Sequence, residues 1–151
     1  MTNQKTSLEA HAIYKLGWKN VKRRLRLVLL FIGLADSIYL ELARAGYTPL
    51  VCAQAGLINC HSVITSSYSV VLGIPLSVYA IVWFLVAIAL LYVKNDDIRF
   101  IWYVFGIGAV IYSLSSMYML KEICEYCLLI DIVVVALAYA NFFVGRRNKK
   151  D

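Results

Sequence analysis

Two apolar stretches decide the fold: PLSVYAIVWFLVAIALLYV at residues 75–93 and FIWYVFGIGAVIYSLSSMYML at residues 100–120. They contain 19 and 21 residues without a charged side chain. At about 1.5 Å per residue, each is long enough as a helix to cross a hydrocarbon core about 30 Å thick. A helix on the surface of a soluble bundle would present strongly polar residues on every turn, which these stretches lack. The sequence therefore predicts a membrane-spanning helix at each place.

Two further apolar stretches, at residues 27–43 and 123–144, each contain two acidic residues. Their other residues are strongly apolar, and both lengths suit a span of about 20 residues. The whole chain is 62% apolar and 16% charged, whereas soluble domains average about 45–50% and 25%. We therefore predict an all-α integral membrane protein. It is a bundle of four transmembrane helices with an outer loop, and residues 61–69 of that loop form a short amphipathic half-helix.

The 151 residues divide into a basic N-terminal segment (1–24), a catalytic membrane domain (25–145) and a basic tail (146–151). The first apolar stretch follows basic residues, as the apolar part of a signal peptide does. However, the basic region before this stretch spans 26 residues, and no small-residue cleavage site follows the apolar stretch. A retained helix is therefore predicted.

The 15 lysines and arginines are placed unevenly along the chain. Seven precede the first span, two lie between the second and third spans, and four follow the last, which leaves Arg44 and Lys121. The positive-inside rule then places both termini in the cytoplasm. The net charge of +6 is explained by these flanking positions and by attraction to anionic lipid, so nucleic-acid binding is not indicated.

All four cysteines fall on the outer side in this topology. Cys52 and Cys60 lie in the long connection after the first span, and Cys124 and Cys127 lie at the start of the fourth. The outer side is the compartment in which disulfides form and persist. Because the orientation came from the lysines and arginines alone, the grouping of the cysteines supports it independently.

Cys124-Glu125-Tyr126-Cys127 is a C-x-x-C motif at a predicted helix start. Free N–H groups and the partial positive charge of a helix N-terminus favour a thiolate at the first cysteine. A thiolate of low pKa is also a good leaving group in disulfide exchange. Cys52 and Cys60 have seven residues between them and can close as a second disulfide. The two pairs together indicate thiol–disulfide redox chemistry.

Four cysteines also allow other interpretations. Both disulfides could be structural, in a non-catalytic membrane scaffold or assembly factor. A zinc site is the second alternative, but the cysteines do not have paired C-x-x-C spacing, so we predict no metal. A transporter or channel has little support, because the spans are few and no repeat between the two halves is visible.

These features resemble the vitamin K epoxide reductase family, specifically its bacterial and archaeal members. The resemblance covers about residues 25–145. It rests on the order and spacing of Cys52-x7-Cys60, Ser66, Gly73-Ile74-Pro75-Leu76 before the second span, and Cys124-x-x-Cys127 at the fourth. A DsbB-type disulfide oxidase would usually carry the C-x-x-C motif early and the spaced pair later, which is the reverse of the order here.

The resemblance implies a membrane thiol–quinone oxidoreductase that supports disulfide bond formation. Cys124 and Cys127 would be the active-site pair, with Cys127 nearest the quinone, and Cys52 and Cys60 would be the shuttle pair. Ser66 would lie near the quinone, which would be of the menaquinone or ubiquinone type. The protein that is oxidised would be a separate thioredoxin-like (DsbA-like) partner, since the chain ends seven residues after the last span.

Two positions depart from the animal enzymes of this family. Ile130, Asp131 and Ile132 stand where those enzymes have Thr-Tyr-Ala, so Asp131 replaces a tyrosine that contacts quinone. Ser69 stands where they have an asparagine contact. Vitamin K epoxide is therefore not the expected substrate, whereas the reduction of an ordinary quinone is.

Two acidic residues lie deep in the predicted spans. Asp131 is four residues after Cys127 and shares its helix face, one turn deeper. Ionisable residues inside a membrane are functional candidates by default, so we expect Asp131 to contact a quinone oxygen or to carry its proton; the alternative is a structural bond to a neighbouring helix. Asp36 is expected to make an interhelical contact with a serine or tyrosine such as Ser113 or Tyr112.

Overall fold

The computed structural model describes residues 2–52, 56–93 and 95–148, and the side chains of residues 21, 23–52, 56–93 and 95–142. This part of the chain forms five α-helices: α1 (Thr2–Arg44), α2 (Cys60–Thr65), α3 (Leu76–Leu90), α4 (Asp96–Leu120) and α5 (Glu125–Asn148). The protein is thus mostly helical, as predicted. Many of the basic residues behind the predicted orientation, among them Lys94, Lys149 and Lys150, lie outside the described side chains.

Two helices are long and apolar enough to cross a membrane in the described part of the chain. They are α4, with 25 residues, and the 18-residue stretch Glu125–Phe142 of α5. α3 has only 15 residues, because the chain leaves the helix at Leu91 rather than at the predicted Val93. α1 contains the predicted first span but runs for 43 residues, without a break at the proposed boundary after residue 24.

Capping interactions explain where α4 begins and ends. The Asn95 side chain accepts hydrogen bonds from the backbone N–H groups of Asp97 and Ile98, at 3.0 and 3.4 Å. Two acidic residues in the first turn favour the positive end of the helix dipole. Lys121 ends the helix in the left-handed conformation, with φ 54°. The fourth apolar stretch becomes helical only at Glu125, so Ile123 and Cys124 lie outside the span.

The connection between α1 and α3 contains the short helical piece expected at residues 61–69. It consists of α2 and a 3₁₀ turn at Ser67–Ser69. A two-stranded antiparallel hairpin follows, with β1 (Val70–Val71) paired to β2 (Ile74–Pro75). Leu72 and Gly73 both have positive φ angles, of 53° and 81°, as a two-residue type I′ turn requires.

The helices pack as one bundle, in which α1 contacts α3 and α5, and α4 contacts α5. A central cluster of buried side chains includes Leu30, Trp83, Phe84, Tyr103 and Leu137. A second cluster lies around the α2 helix and contains two of the cysteines. Many large apolar side chains point outward from the bundle, such as Phe31, Ile101, Phe105 and Ile132. Such an apolar exterior is what helices in contact with lipid require.

Candidate redox site

The first cysteine pair is joined in a disulfide. Cys52 and Cys60 are eight positions apart in sequence, and their Cα atoms lie 6.2 Å apart. Cys60 begins α2 and is 1% exposed, whereas Cys52 is half-buried. Of the two sulfurs, that of Cys52 is therefore the one that an external thiol can reach.

The second pair consists of two thiols at the start of α5. Cys124 and Cys127 are free, and their sulfur atoms lie 2.8 Å apart. A disulfide bond is about 2 Å long, so the sulfurs need to shift by less than about 1 Å to close one. The Cys124 sulfur also accepts a hydrogen bond from the backbone N–H of Cys127 at 3.3 Å. Cys124 thus caps α5 in the way that a serine or aspartate caps other helices.

These contacts favour the thiolate form of Cys124. The hydrogen bond from the Cys127 thiol is the main cause that lowers the pKa of the Cys124 thiol below its ordinary value. Burial opposes this lowering, and the backbone N–H groups of Cys127 and Tyr126 add to it. The capping N–H of Cys127 thus contributes to thiolate stabilisation, as the C-x-x-C motif predicted, but the larger contribution comes from the Cys127 thiol.

A short backbone ladder holds the two pairs together. Ile58 and Ile123 form a parallel β-bridge. The N–H of Asn59 donates to the carbonyl of Ile123 at 3.1 Å, and the N–H of Ile123 donates to the carbonyl of Leu57 at 2.8 Å. The next residues along the two segments are Cys60 and Cys124, and both are buried in the same apolar cluster. Two cysteines that are 64 positions apart in sequence thus lie in one site.

An apolar cavity of about 360 Å³ lies beside this site, among all five helices. Cys127 lines it, whereas Cys124 does not. The aromatic rings of its wall belong to Trp83, Phe84, Trp102, Phe105, Tyr68 and Tyr79. Ser66, Ser69 and Asp131, the three residues expected to contact a quinone, also line it. Their roles remain predictions.

Comparison with known families identifies the chain. The family model described as the vitamin K epoxide reductase family matches residues 24–142. The chain belongs to the vitamin K epoxide reductase family. Its members are membrane thiol–disulfide oxidoreductases that use quinones, and the four cysteines fit this chemistry. A search among curated proteins found no match.

The hydroxyl groups of the two loop serines, Ser66 and Ser69, already donate hydrogen bonds to backbone carbonyls. The Ser66 hydroxyl donates to the carbonyl of Val63 at 2.8 Å. The Ser69 hydroxyl lies 2.7 Å from the carbonyls of both Ile64 and Ser66. A hydroxyl has one proton to donate, so neither serine can donate to a quinone carbonyl without losing a bond that shapes the loop.

The two acids lie in different surroundings. Asp131 is 7% exposed and accepts a hydrogen bond from Ser113, while its Oδ2 atom has no partner among the described residues. The contact expected between Asp36 and Ser113 or Tyr112 was wrong, because Ser113 bonds to Asp131 and the Tyr112 hydroxyl donates to the carbonyl of Tyr68. Asp36 is buried in α1, does not line the cavity, and also has an unpartnered Oδ2 atom.

Two tyrosines hold the chain next to Cys52. The Tyr126 hydroxyl donates to the carbonyl of Val51 at 2.5 Å, and the Tyr39 hydroxyl accepts from the N–H of Val51 at 3.2 Å. The two rings are 5.2 Å apart. Because Tyr126 belongs to the C-x-x-C motif, this is a second link between the two cysteine pairs.

Glu125 lies at the first disulfide, a position that the sequence analysis did not predict. A carboxylate oxygen of Glu125 and the sulfurs of Cys52 and Cys60 all lie within 4.8 Å of one another. Such a group resembles a set of metal ligands, but the two sulfurs share a disulfide and so offer no thiolate. The position of Glu125 inside the C-x-x-C motif was the available signal, since the motif had already been assigned to the redox site.

Proposed function

We propose that the protein is a membrane thiol–quinone oxidoreductase that oxidises a separate thioredoxin-like (DsbA-like) protein and passes the electrons to a quinone. The activity would support disulfide bond formation on the outer side of the membrane. One observation carries the proposal: the two cysteine pairs meet at the Ile58–Ile123 bridge, and the far end of the relay, Cys127, lines an apolar cavity.

The first step is attack by a partner thiolate on the Cys52 sulfur. Cys52 is half-buried, whereas Cys60 is 1% exposed. The partner therefore forms a mixed disulfide with Cys52, and Cys60 leaves as a thiolate. The second thiol of the partner then attacks the mixed bond, which releases the partner as a disulfide and Cys52 as a thiol.

The second step joins the two pairs. The Cys60 thiolate attacks Cys124 while Cys124 is bonded to Cys127, and Cys127 leaves. Cys52 then attacks Cys60, which restores the first disulfide and frees Cys124. Cys60 and Cys124 are buried in one cluster with Leu40, Val63 and Met117. Their mixed disulfide is therefore protected from foreign thiols in water.

The cavity fits a quinone as the electron-accepting substrate. Its wall is almost entirely apolar and aromatic, as a quinone ring and the start of its tail require. Asp131 lines the cavity, and the Oδ2 atom of Asp131 has no hydrogen-bond partner among the described residues. Two electrons and two protons leave the thiols of Cys124 and Cys127 as they form a disulfide, and one quinone is reduced to a quinol. Asp131, one turn from Cys127, is in position to carry one of these protons.

We propose four membrane spans with both termini in the cytoplasm. The family match extends across all four apolar stretches. α1 carries Asp36 and Glu41 in the part that would cross, and α3 is short, so both depend on packing within the bundle.

The test is quinone reduction by a dithiol with purified protein, with each cysteine changed in turn to alanine. Every variant should lose quinone reduction by the partner. In a Cys52→Ala/Cys127→Ala variant, a mild thiol oxidant such as diamide should join the two remaining thiols, Cys60 and Cys124, because they lie in one buried cluster and no third cysteine is left to displace the bond. Peptide mapping without reductant detects that bond. Ser115→Ala, an exposed serine outside the cavity, is the control.

The same experiment separates the relay from a scaffold with structural disulfides. In a scaffold, the unaltered protein would reduce no quinone, and Cys60 and Cys124 of the double variant would remain free thiols. The cavity next to Cys127 favours the relay, because a structural disulfide has no use for a chamber of about 360 Å³ beside it.

A further inference from the structure

Arg44 is the last residue of α1, and its side chain lines the cavity. Its Nε atom is buried and has no hydrogen-bond partner in the described part of the protein. A buried N–H group without a partner is destabilising, and such groups are uncommon in folded proteins. An acceptor held in the cavity would satisfy this group.

No described neighbour of Arg44 accepts a hydrogen bond from its guanidinium. Its nearest carboxylate oxygen belongs to Glu41, at 4.0 Å from Nη1, which is beyond hydrogen-bonding distance. The other carboxylate oxygen of Glu41 accepts from the Ser77 hydroxyl. Since a guanidinium has five N–H donors in a planar fork, several remain for a ligand.

Most other donors in the cavity wall are already used. Hydroxyl or indole protons of seven lining residues go to protein acceptors: Ser66, Ser69, Ser77, Ser116, Tyr79, Trp83 and Trp102. Ser113 bonds to Asp131, and Tyr68 is 50% exposed. A carbonyl oxygen in the cavity therefore meets two residues able to donate: Arg44, whose Nε atom is buried, and Asp131 when it carries a proton.

The charge pattern of the chain agrees with a special role for this arginine. Arg44 and Lys121 are the two basic residues that the proposed topology places on the outer side, where lysine and arginine are least needed for orientation. Lys121 ends α4 and does not line the cavity. Arg44 is thus the outer cation that faces the proposed substrate.

We propose that the Arg44 guanidinium donates a hydrogen bond to a carbonyl oxygen of the bound quinone and stabilises the negative charge that develops on that oxygen during reduction. The inference rests on the proposed function and adds the residue that recognises the head group. The attraction between this cation and the quinone oxygen increases as the oxygen gains negative charge. Arg44 therefore assists the reduction step as well as binding. Arg44 would favour ligands with an exposed carbonyl over hydrocarbons of the same size.

Binding is measured by the quenching of tryptophan fluorescence, because Trp83 and Trp102 both line the cavity. A Trp18→Phe background removes the third tryptophan of the chain. Menadione serves as a tail-less naphthoquinone probe and duroquinone as a benzoquinone probe. The variants are Arg44→Leu, which removes every donor, and Arg44→Lys, which keeps the charge but not the planar fork.

Arg99→Leu is the matched control. Arg99 also has a buried Nε atom without a partner and pairs with an acid three residues away, Asp96, but it does not line the cavity. A general cost of losing a half-buried arginine would therefore appear in both leucine variants. Thermal unfolding of each variant in detergent checks that the bundle is intact.

Arg44→Leu should raise the dissociation constant of menadione about tenfold to a hundredfold, as expected for the loss of a hydrogen bond from a charged donor. The dissociation constant of Arg44→Lys should lie between those of Arg44→Leu and the unaltered protein. Arg99→Leu should bind menadione as the unaltered protein does. Reduction of the Cys52–Cys60 disulfide by the partner should be unchanged in all three. Equal menadione affinity in Arg44→Leu and Arg99→Leu would overturn the inference, whereas an unaltered protein that binds no quinone would overturn the proposed function itself.

Discussion

The Cys124 sulfur has two functions at once, since it caps α5 and is the atom that Cys60 would attack. Its pKa is lowered chiefly by the Cys127 thiol at 2.8 Å. Because the lowered pKa keeps Cys124 ionised at pH values where an ordinary thiol is protonated, its alkylation should persist to lower pH. In a background with Cys52 and Cys60 both changed to alanine, Cys127→Ala should move the midpoint of this profile upward.

Cys127→Ser is the matched control, because a serine hydroxyl still donates to the Cys124 sulfur. Its alkylation midpoint should stay below that of Cys127→Ala. Rates with a small neutral alkylating agent across the pH range give both midpoints. Identical profiles for the alanine and serine variants would show that the side chain at residue 127 does not set the ionisation of Cys124.

Asp131 lines the cavity one helical turn beyond Cys127, the end of the relay. We expect Asp131→Asn to lower kcat for quinone reduction about a hundredfold, the usual contribution of a positioned acid or base. The rate at which a dithiol reduces Cys52–Cys60 should not change, because that pair lies outside the cavity lining. Ser113→Ala keeps the carboxyl and should have a smaller effect. If Asp131→Asn reduced quinone at the normal rate, another group would have to carry the proton to the quinone.

At the scale of elements, Asn59 connects the two halves of the relay. Its side-chain oxygen accepts from the N–H of Ser62 at 3.2 Å and so caps α2, while its side-chain nitrogen donates to Glu122 at 3.3 Å. Asn59→Ala loses both bonds and should destabilise the protein by about 1 kcal/mol through the lost cap. Asn59→Asp keeps the cap but brings a like charge next to Glu122.

Both variants should therefore slow the exchange between Cys60 and Cys124, by about fivefold for one lost hydrogen bond, and only Asn59→Ala should lower the unfolding temperature. The rate at which a mild oxidant joins Cys60 to Cys124 is measured in a Cys52→Ala/Cys127→Ala background, with acid quenching at each time point. Exchange at the normal rate in Asn59→Asp would mean that the ladder at Ile58 and Ile123 holds the pairs without Asn59.

The elements differ in how far the sequence could predict them. α4 and α5 follow from long apolar runs, and the cysteine-bearing helix start follows from the C-x-x-C motif. The end of α3 could not be predicted, because the turn after Leu90 is as apolar as the helix. The Ile58–Ile123 bridge joins residues 65 positions apart, and no local pattern specifies such a contact. The serines at 66 and 69 were found at the cavity, but the direction of their hydroxyl bonds is a property of the folded loop.

At the scale of the whole molecule, Gly106 allows α4 to approach the aromatic core. A Cβ atom at Gly106 would lie 2.6 Å from Cζ2 of Trp83, whereas nothing lies within 4 Å of a Cβ atom at Gly108. Trp83 cannot easily move, because its indole and that of Trp102 donate to each other's backbone carbonyl, both at 3.3 Å. Gly106→Ala should therefore destabilise the protein by about 1–3 kcal/mol and weaken menadione binding.

Gly108→Ala tests the same chemical change on the same helix without the clash. Alanine is the better helix former, so this variant should be neutral or up to about 1 kcal/mol more stable. Thermal unfolding in detergent and fluorescence quenching by menadione compare the two variants. If Gly106→Ala were as stable as Gly108→Ala, the ring of Trp83 would have to be free to move, and the cavity wall would not be rigid.

The ends of α4 make the membrane orientation testable with two thiols. Its 25 residues extend about 37 Å, so residues near Asp97 and residues near Cys124 lie farther apart than the thickness of a hydrocarbon core, about 30 Å. In intact cells, an impermeant maleimide should label Cys52 in a Cys60→Ser variant, because Cys52 belongs to the end that carries the bridge to Ile123. A cysteine at the exposed position 97, introduced as Asp97→Cys without the four native cysteines, should be labelled only after the membrane is permeabilised. Labelling of both positions from outside would rule out a membrane-spanning α4, and labelling of position 97 alone would reverse the orientation and place the relay in the reducing compartment, where its disulfides would not persist.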